Sequence, residues 1–181
     1  ANAIHTYEAE YSKFPVSSVG AVTATSEAAR LGEDFTFGTA GVTCVGAGGD
    51  PVTPMGSGFA TPVAGTFQTV LAPGNYQTNN AEVMAVLTDV ESWPNSPAEP
   101  TINKDHVKNP QKTRVLDAPS APDSKSAGIG QDGTFRDPWG NPYIITIDLN
   151  FDDKARDAFY RDPNVSADPD KPDLGLNGLI L

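Results

Sequence analysis

The middle of the chain is the feature that most limits what this protein can fold into. Residues 36–81 contain nine glycines and one charged residue, Asp50, set among Thr, Ser, Ala and Val. Glycine weakens helix interiors and supplies tight turns, so this stretch favours short strands joined by glycine turns. The best strand candidates within it are residues 41–45 and 67–71. A helical bundle or a coiled coil is therefore excluded.

Size and charge set further limits. The 181 residues suit a single domain over 1–181, and the net charge is −11. Such an acidic chain is not expected to bind nucleic acid or an anionic membrane surface. A single cysteine, Cys44, excludes an internal disulfide and any cysteine-based metal cluster. The residues given include no apolar stretch long enough to span a membrane.

The N-terminal segment has the apolar spacing of a helix. Its stripe consists of Ile4, Tyr7, Tyr11 and Phe14, and Pro15 ends it. No capping residue precedes the stripe, so we expect the helix to continue upstream of Ala1. A short amphipathic helix that starts at Ala1 is the alternative.

A second helix is predicted where an apolar stripe follows a capping signal. Asn79 is the expected N-cap, with Glu82 as its capping-box partner, and Pro94 lies beyond the end. The stripe consists of Val83, Val86, Leu87 and Val90. A third, shorter helix is predicted over residues 26–32.

The second half of the chain is expected to be mostly irregular. Residues 92–133 are rich in Pro, Ser, Asn and Lys and predict a long surface connection. Its basic centre, residues 104–114, is explained more simply as a solvated loop than as a binding patch. Residues 144–149 are the best strand candidate, and residues 176–181 predict a last strand.

Nothing in the sequence pairs a nucleophile with a base. The two histidines, His5 and His106, have no nucleophile-elbow sequence near them, and Cys44 has no basic neighbours. We therefore expect no catalytic activity.

Acidic residues near the C-terminus raise the question of a metal. Asp148, Asn150 and Asp152 alternate, with Asp153 next to them, and calcium prefers such carboxylate and amide oxygens. Asp153 replaces the glycine that an EF-hand loop needs, so an EF-hand is excluded. Two interpretations stay open, a calcium site and a set of solvated turn residues.

One short motif resembles a known family. The motif consists of Asp137, Pro138, Trp139, Gly140, Asn141, Pro142 and Tyr143. It is similar to the signature of the major pseudopilins of type II secretion, relatives of the type IV pilins. The end of the first helix, with its tyrosines before Lys13, Phe14 and Pro15, and residues 79–88 and 109–112 resemble the same family. The glycine-rich middle has no counterpart, and we interpret it as an insertion.

The resemblance implies an α+β, pilin-like fold. A truncated N-terminal helix would pack on a small antiparallel sheet with long irregular loops, and Trp139 would anchor the 137–143 turn while its prolines fix the path. The missing apolar half of the helix would follow a leader that a prepilin peptidase removes. It would hold the subunit in the inner membrane, with the head in the periplasm or at the cell surface.

The resemblance also implies a function and partners. The chain would be a non-catalytic filament subunit acting in protein secretion, assembled with copies of itself, minor pseudopilins and the inner-membrane machinery. Family members bind calcium after the motif, where the nearest candidates are Asp148, Asn150, Asp152 and Asp153. The alternative function is a secreted, β-rich ligand-binding or adhesive module that uses the glycine-rich middle as its recognition surface.

Overall fold

A computed structural model describes most of the N-terminal segment and of residues 79–149. The described residues are 1–17, 34–38, 79–123, 125–149, 151 and 153, together with the backbone of short strands elsewhere. The helices are α1 (Asn2–Tyr11), α2 (Ala81–Leu87) and a 3-10 turn (Lys104–His106). The strands up to residue 78 are β1 (Phe35–Phe37), β2 (Cys44–Val45), β3 (Pro51–Val52), β4 (Thr61–Pro62), β5 (Thr69–Val70) and β6 (Gln77–Thr78).

The remaining strands lie in the second half of the chain. They are β7 (Ser92–Trp93), β8 (Ser96–Pro100), β9 (Gly128–Ile129), β10 (Phe135–Arg136), β11 (Ile145–Ile147), β12 (Ala167–Asp168) and β13 (Lys171–Gly175). Helices combined with small, mostly antiparallel sheets make an α+β fold. Neither α1 nor α2, the α-helices of the described residues, is long and apolar enough to cross a membrane.

The chain divides into two compact units. Unit 1 consists of Ala1–Ser18, Pro62–Gln68 and Asn79–Tyr143, and unit 2 consists of Val19–Thr61, Thr69–Thr78 and Ile144–Leu181. Unit 1 holds α1, α2 and the 137–143 motif, whereas unit 2 holds a three-stranded sheet, the largest among the described residues.

In unit 1, α1 lies against α2. The predicted stripe buries Tyr7 completely, and α2 is buried along nearly its whole length. Helix α1 ends at Tyr11, earlier than Pro15 predicts, because Ser12 adopts a left-handed conformation with φ of 52°. The Ser12 N–H donates to the Glu8 carbonyl at 2.7 Å, which closes the last turn.

The prediction of a long surface connection over residues 92–133 is correct only in part, because most of these residues are exposed or half-buried but some form strands or lie in the interior. Strands β7 and β8 form an antiparallel hairpin, and β9 pairs with β10. In the sequence, the 3-10 turn lies between these two pairs. Thr101, Asn103 and Asn109 are fully buried. The polar composition misleads here because these side chains bond to backbone groups inside the unit instead of to water.

Unit 2 contains a three-stranded sheet in the order β11-β1-β6. Strand β1 is antiparallel to β11, with Phe35 opposite Ile147, and parallel to β6, with Thr36 opposite Gln77. The predicted strand at 144–149 is confirmed over Ile145–Ile147. This sheet is mixed, because β1 pairs with β6 in parallel, whereas the resemblance implies a small antiparallel sheet. The pairs β2–β3 and β12–β13 are antiparallel.

The short strands agree in part with the sequence predictions. Strands β2 and β5 fall inside the predicted segments 41–45 and 67–71, although each contains only two residues. The predicted helix over 26–32 and the predicted strand over 176–181 lie outside the described residues.

Buried asparagines hold the interior of unit 1 together. Asn109 uses every bonding position of its amide: Nδ2 donates to the carbonyls of Val86 and Thr113, and Oδ1 accepts from the Tyr11 hydroxyl and the Thr113 N–H. Asn103 Oδ1 accepts from the backbone N–H groups of Lys108 and Asn109. The side-chain amides of these two residues therefore fix the backbone of residues 101–113, most of which belongs to no helix or strand.

The capping-box prediction for α2 is wrong. The N-cap residue is Asn80, whose side chain makes no capping bond. Asn79 lies one position earlier, and its Oδ1 accepts from the Ala81 N–H at 3.0 Å in a local turn. Glu82 does not reach back; its Oε1 accepts from the Ser17 N–H at 3.0 Å and so connects α2 to the segment after α1. Burial raises the pKa of Glu82 above its ordinary 4.5, opposed by the hydrogen bonds from Ser17 and the charge of Lys108.

Replacing Asn109 is expected to weaken unit 1 strongly. Asn109→Ala removes partners from α1, α2 and the 113 backbone at once, which costs about 3 kcal/mol of unfolding free energy. Urea denaturation followed by circular dichroism measures the change. Asn95→Ala is the matched control, because Asn95 is exposed and its substitution should stay within about 0.5 kcal/mol. Equal effects of the two variants would contradict the role of Asn109.

The carboxyl of Glu82 makes a separate, pH-dependent prediction. Because its pKa is raised on folding, its contribution to stability is complete below its ordinary pKa and is lost as the pH rises through the raised value. Glu82→Gln keeps an acceptor for Ser17 and should flatten this part of the stability profile. Glu82→Ala removes the acceptor and should cost about 1–3 kcal/mol at every pH. Denaturation midpoints between pH 4 and 7, compared among the three proteins, measure both effects.

Candidate functional site

Two tyrosine hydroxyls bind helix α1 to residues 108 and 109 of the same unit. Tyr7 donates to the Lys108 carbonyl at 2.5 Å, and Tyr11 donates to Asn109 Oδ1 at 2.8 Å. The two rings lie with their centroids 4.6 Å apart. Burial, together with neighbouring Tyr11, raises the pKa of Tyr7 to about 12, so this hydroxyl remains a donor at any physiological pH. The helix is thus held by directed bonds as well as by packing.

The 137–143 motif forms the tip of a β-hairpin. The Asp137 N–H donates to the Asn141 carbonyl at 2.9 Å, and the Tyr143 N–H donates to the Phe135 carbonyl at 3.0 Å. Between these two bonds, the backbones of Arg136 and Pro142 pair as an isolated antiparallel β-bridge. The turn that the sequence predicts is therefore present at these residues, and its role as a family motif stays a prediction.

Asp137 organises the tip of this turn. Its Oδ1 accepts from the N–H groups of Trp139 and Asn141, both at 2.9 Å, and its carbonyl accepts from the Gly140 N–H at 3.0 Å. Although burial acts to raise the pKa of Asp137, the hydrogen bonds from Asn141 and Trp139 hold it below its ordinary value. The carboxylate therefore serves as an internal template for the backbone, as in an Asx-turn.

Gly140 and Asn80 fix the turn to the rest of unit 1. Gly140 has a φ of +87°, and a Cβ at this position would collide with the Lys125 carbonyl, so a side chain is excluded. Asn80 is fully buried, and its Nδ2 donates to the carbonyls of Phe135 and Tyr143, both at 2.9 Å. Its Oδ1 accepts from the Phe135 N–H at 2.8 Å. The residue that precedes α2 thereby clamps both strands of the hairpin.

The predicted anchoring role of Trp139 is wrong. Its side chain is 84% exposed, whereas an anchor would be buried. Asp137 and Asn80 hold the turn instead, through their hydrogen bonds to its backbone. Tyr143 is partly exposed and packs on Phe135, with ring centroids 4.7 Å apart. The turn therefore presents an aromatic ring to solvent on a rigid support.

The calcium candidates are described only in part. Asp148 Oδ1 accepts from the Phe151 N–H at 2.7 Å, and Oδ2 accepts from the Asp153 N–H at 3.0 Å. Asn150 and Asp152 lie outside the described residues. Asp148 thus organises its own loop in the way expected of a turn residue. Over the residues that the structure describes, no group of three or more His, Cys, Asp or Glu converges on a metal position.

Sequence reasoning missed the polar residues that shape unit 1. Asn80 is adjacent to Asn79, the expected N-cap, and has no signal of its own, and Asn103 carries no local signal at all. The resemblance marked Asn109 within 109–112, but no pattern in the sequence shows which asparagines are buried. The sequence around His106 indicates no partner, because its contacts come from residues on another segment.

Comparison of the chain with protein-family models, with curated proteins and with solved structures finds no match. The similarity of the 137–143 motif to pseudopilins therefore stands as a hypothesis drawn from the residues.

Two substitutions in the turn compare the contribution of the Asp137 carboxylate to stability with that of the exposed Trp139 indole. Asp137→Ala removes the acceptor for two backbone N–H groups and is expected to lower Tm clearly. Trp139→Ala removes an exposed side chain and should leave unfolding free energy within about 0.5 kcal/mol of the wild type. Thermal denaturation by circular dichroism measures both. If Trp139→Ala proved the more damaging variant, the indole would be an anchor after all.

Proposed function

We propose that the chain is the head of a filament subunit of the type II secretion pseudopilus or of a type IV pilus-like fibre. Its role is structural and involves no catalysis. It assembles with other copies of itself and with minor pseudopilins on the inner-membrane secretion machinery. The head faces the periplasm or the cell surface, and an apolar helix upstream of α1 holds the subunit in the inner membrane. The pilin-like arrangement of a helix on a sheet is part of this proposal.

The observation that carries the proposal is the 137–143 turn. Seven residues that resemble the family signature form one ordered unit, closed by Asp137 and clamped by Asn80. A filament subunit needs surface loops whose shape does not depend on the partner, because each copy must offer the same contact surface. A turn fixed by its own backbone bonds meets that requirement.

The attachment of α1 supports the same proposal. A subunit whose helix anchors a filament must transmit load from the helix to the head without detaching. Two tyrosine hydroxyls and the Glu82–Ser17 bond join α1, and the segment that follows it, to α2 and to residues 108–109. Directed bonds resist sliding of a helix along its contact surface better than an apolar interface does, since they fix its register.

Calcium at Asp148, Asn150, Asp152 and Asp153 is a secondary element of the proposal. Asp148 and Asp153 lie within one short loop, and calcium is satisfied by carboxylate and amide oxygens of this kind. Calcium would then stabilise unit 2 when bound. Thermal denaturation with and without a calcium chelator tests this element independently of the filament role.

Genetics with the full gene in its own bacterium tests the function. Deletion should leave secreted proteins inside the cell, and overproduction should give filaments that an antibody against the head labels along their length. Complementation with the wild type should restore secretion. Asp137→Ala should restore it poorly at equal protein level, whereas Asn95→Ala should restore it fully.

The alternative, a secreted β-rich adhesive or ligand-binding module, predicts different results. The protein would then leave the cell as a free molecule after cleavage of a secretory signal, and its deletion would not alter secretion of other proteins. Either result would overturn the filament proposal. Immunoblots of cell, membrane and medium fractions, with N-terminal sequencing of the mature chain, distinguish the two functions.

A further inference from the structure

The indole of Trp139 is exposed on a rigid support. Its side chain is 84% exposed, although tryptophan is on average among the more buried residue types. The backbone beneath it is fixed, because Asp137 Oδ1 accepts from the Trp139 and Asn141 N–H groups and Gly140 lies against the Lys125 carbonyl. A partner that covers the ring therefore does not have to order the turn first, which favours binding at this point.

The charges around the turn leave one carboxylate without a cation. Asp132 Oδ2 forms an ion pair with Arg136 Nη2 at 2.6 Å, and the charge of Lys125 lies close to Asp123. Asp137 has no ion pair with a lysine or arginine among the described residues. A group that covers the indole therefore meets a negative charge two positions away in the sequence. A cation suits both neighbours, since the face of an indole also attracts positive charge.

Cations are concentrated in one segment of the same unit. Residues 104–114, here called the basic segment, contain four of the 12 Lys and Arg residues and one acidic residue, Asp105, in a chain of net charge −11. Lys104, Lys112 and Arg114 are exposed. Within the part of the chain that the structure describes, no carboxylate forms an ion pair with any of these three. Arg114 fits an indole best, because a planar guanidinium stacks on aromatic rings.

The turn and the basic segment are bonded to opposite ends of helix α2. The hairpin that carries the turn is held by Asn80, the residue before the helix. The basic segment and the residues that follow it are held by the last turn of the helix. Asn109 Nδ2 donates to the Val86 carbonyl at 3.3 Å, and the Val115 N–H donates to the Leu87 carbonyl at 2.8 Å. One chain thus carries two complementary surfaces at different places.

We propose that the 137–143 turn of one copy binds the basic segment of a second copy, with Arg114 stacked on Trp139 and Lys112 close to Asp137. The indole is exposed within its own chain, so the cation comes from another molecule. The chain itself supplies both surfaces, which makes a second copy the partner of matching chemistry. This inference rests on the proposed function, because it names the head surfaces through which copies in a filament meet.

Unlike surfaces give this contact a direction. An interface between two different surfaces is heterologous, and each bound copy keeps one free turn or one free basic segment at its outer end. Such a contact repeats from copy to copy and extends the assembly unless the rotation closes a ring. Two copies of net charge −11 repel each other in general. The basic segment reverses that sign locally and so selects the orientation in which copies approach.

Reciprocal mixing of two variants of the purified chain tests the contact. Trp139→Ala removes the ring and keeps the basic segment, whereas K112Q/R114Q does the reverse. In sedimentation velocity over a concentration series, the wild type should grow beyond a dimer. Each variant alone should associate at least about tenfold more weakly, as expected when an interface anchor is lost. Mixed together, the two should form a one-to-one pair that grows no further, because only one intact contact is available.

Three results overturn the proposal. The first is a wild-type chain that stays monomeric at millimolar concentration. The second is K112Q/R114Q association equal to that of the wild type, which would mean that the turn binds something other than the basic segment. The third is a mixture in which the two variants do not pair. Asn95→Ala, at an exposed position, should associate like the wild type, and circular dichroism verifies that each variant is folded.

The genetic test of the filament role separates this proposal from the function on which it rests. If deletion of the gene blocks secretion but full-length Trp139→Ala still builds filaments, the head contact is wrong and the filament function stands. If the purified chain associates as described while deletion leaves secretion intact, the head contact stands and the secretion function is wrong.

Discussion

The interior of unit 1 depends on the requirement that a buried amide must satisfy all its hydrogen bonds. An unsatisfied polar group inside a protein costs about 1–3 kcal/mol, so a buried asparagine is tolerated only where the backbone around it is shaped to receive it. Asn109 receives bonds from α1 and residue 113 and gives bonds to α2 and residue 113. The positions of these segments are therefore mutually determined through one side chain.

The same principle explains how so polar a segment becomes ordered. Residues 101–113 have almost no apolar side chains to bury, and hydrophobic burial alone does not fix their path. The side chains of Asn103, Asn109 and Thr101 instead form hydrogen bonds with backbone groups, as a neighbouring strand would. At the other end of α2, Asn80 does this for the 135–143 hairpin. Helix α2 thus contributes its apolar face to the core and has a polar clamp at its start.

Sequence patterns predicted the parts of the fold that follow from periodicity and turn chemistry. Helix α2, strand β11 and the 137–143 turn belong to this class, because their signals are local. The buried asparagines, the Glu82–Ser17 bond and the exposure of Trp139 could not be predicted in this way. Each depends on which distant backbone groups come into reach, and identical residues in a loop would carry the same local signal whether solvated or buried. The contacts of His106 were missed for the same reason, since Asp89 and Glu91 approach it from another segment.

The exposure of Trp139 has a practical consequence for optical measurements. The chain contains only one other tryptophan, Trp93, which is partly shielded and lies close to Gly133. An indole in water emits at longer wavelengths and is more accessible to soluble quenchers than a shielded one. Emission at the red edge of the spectrum therefore comes mainly from the tip of the 137–143 turn. The protein carries an intrinsic fluorophore at that point, and any molecule that covers the turn will report its arrival as a blue shift without an added label.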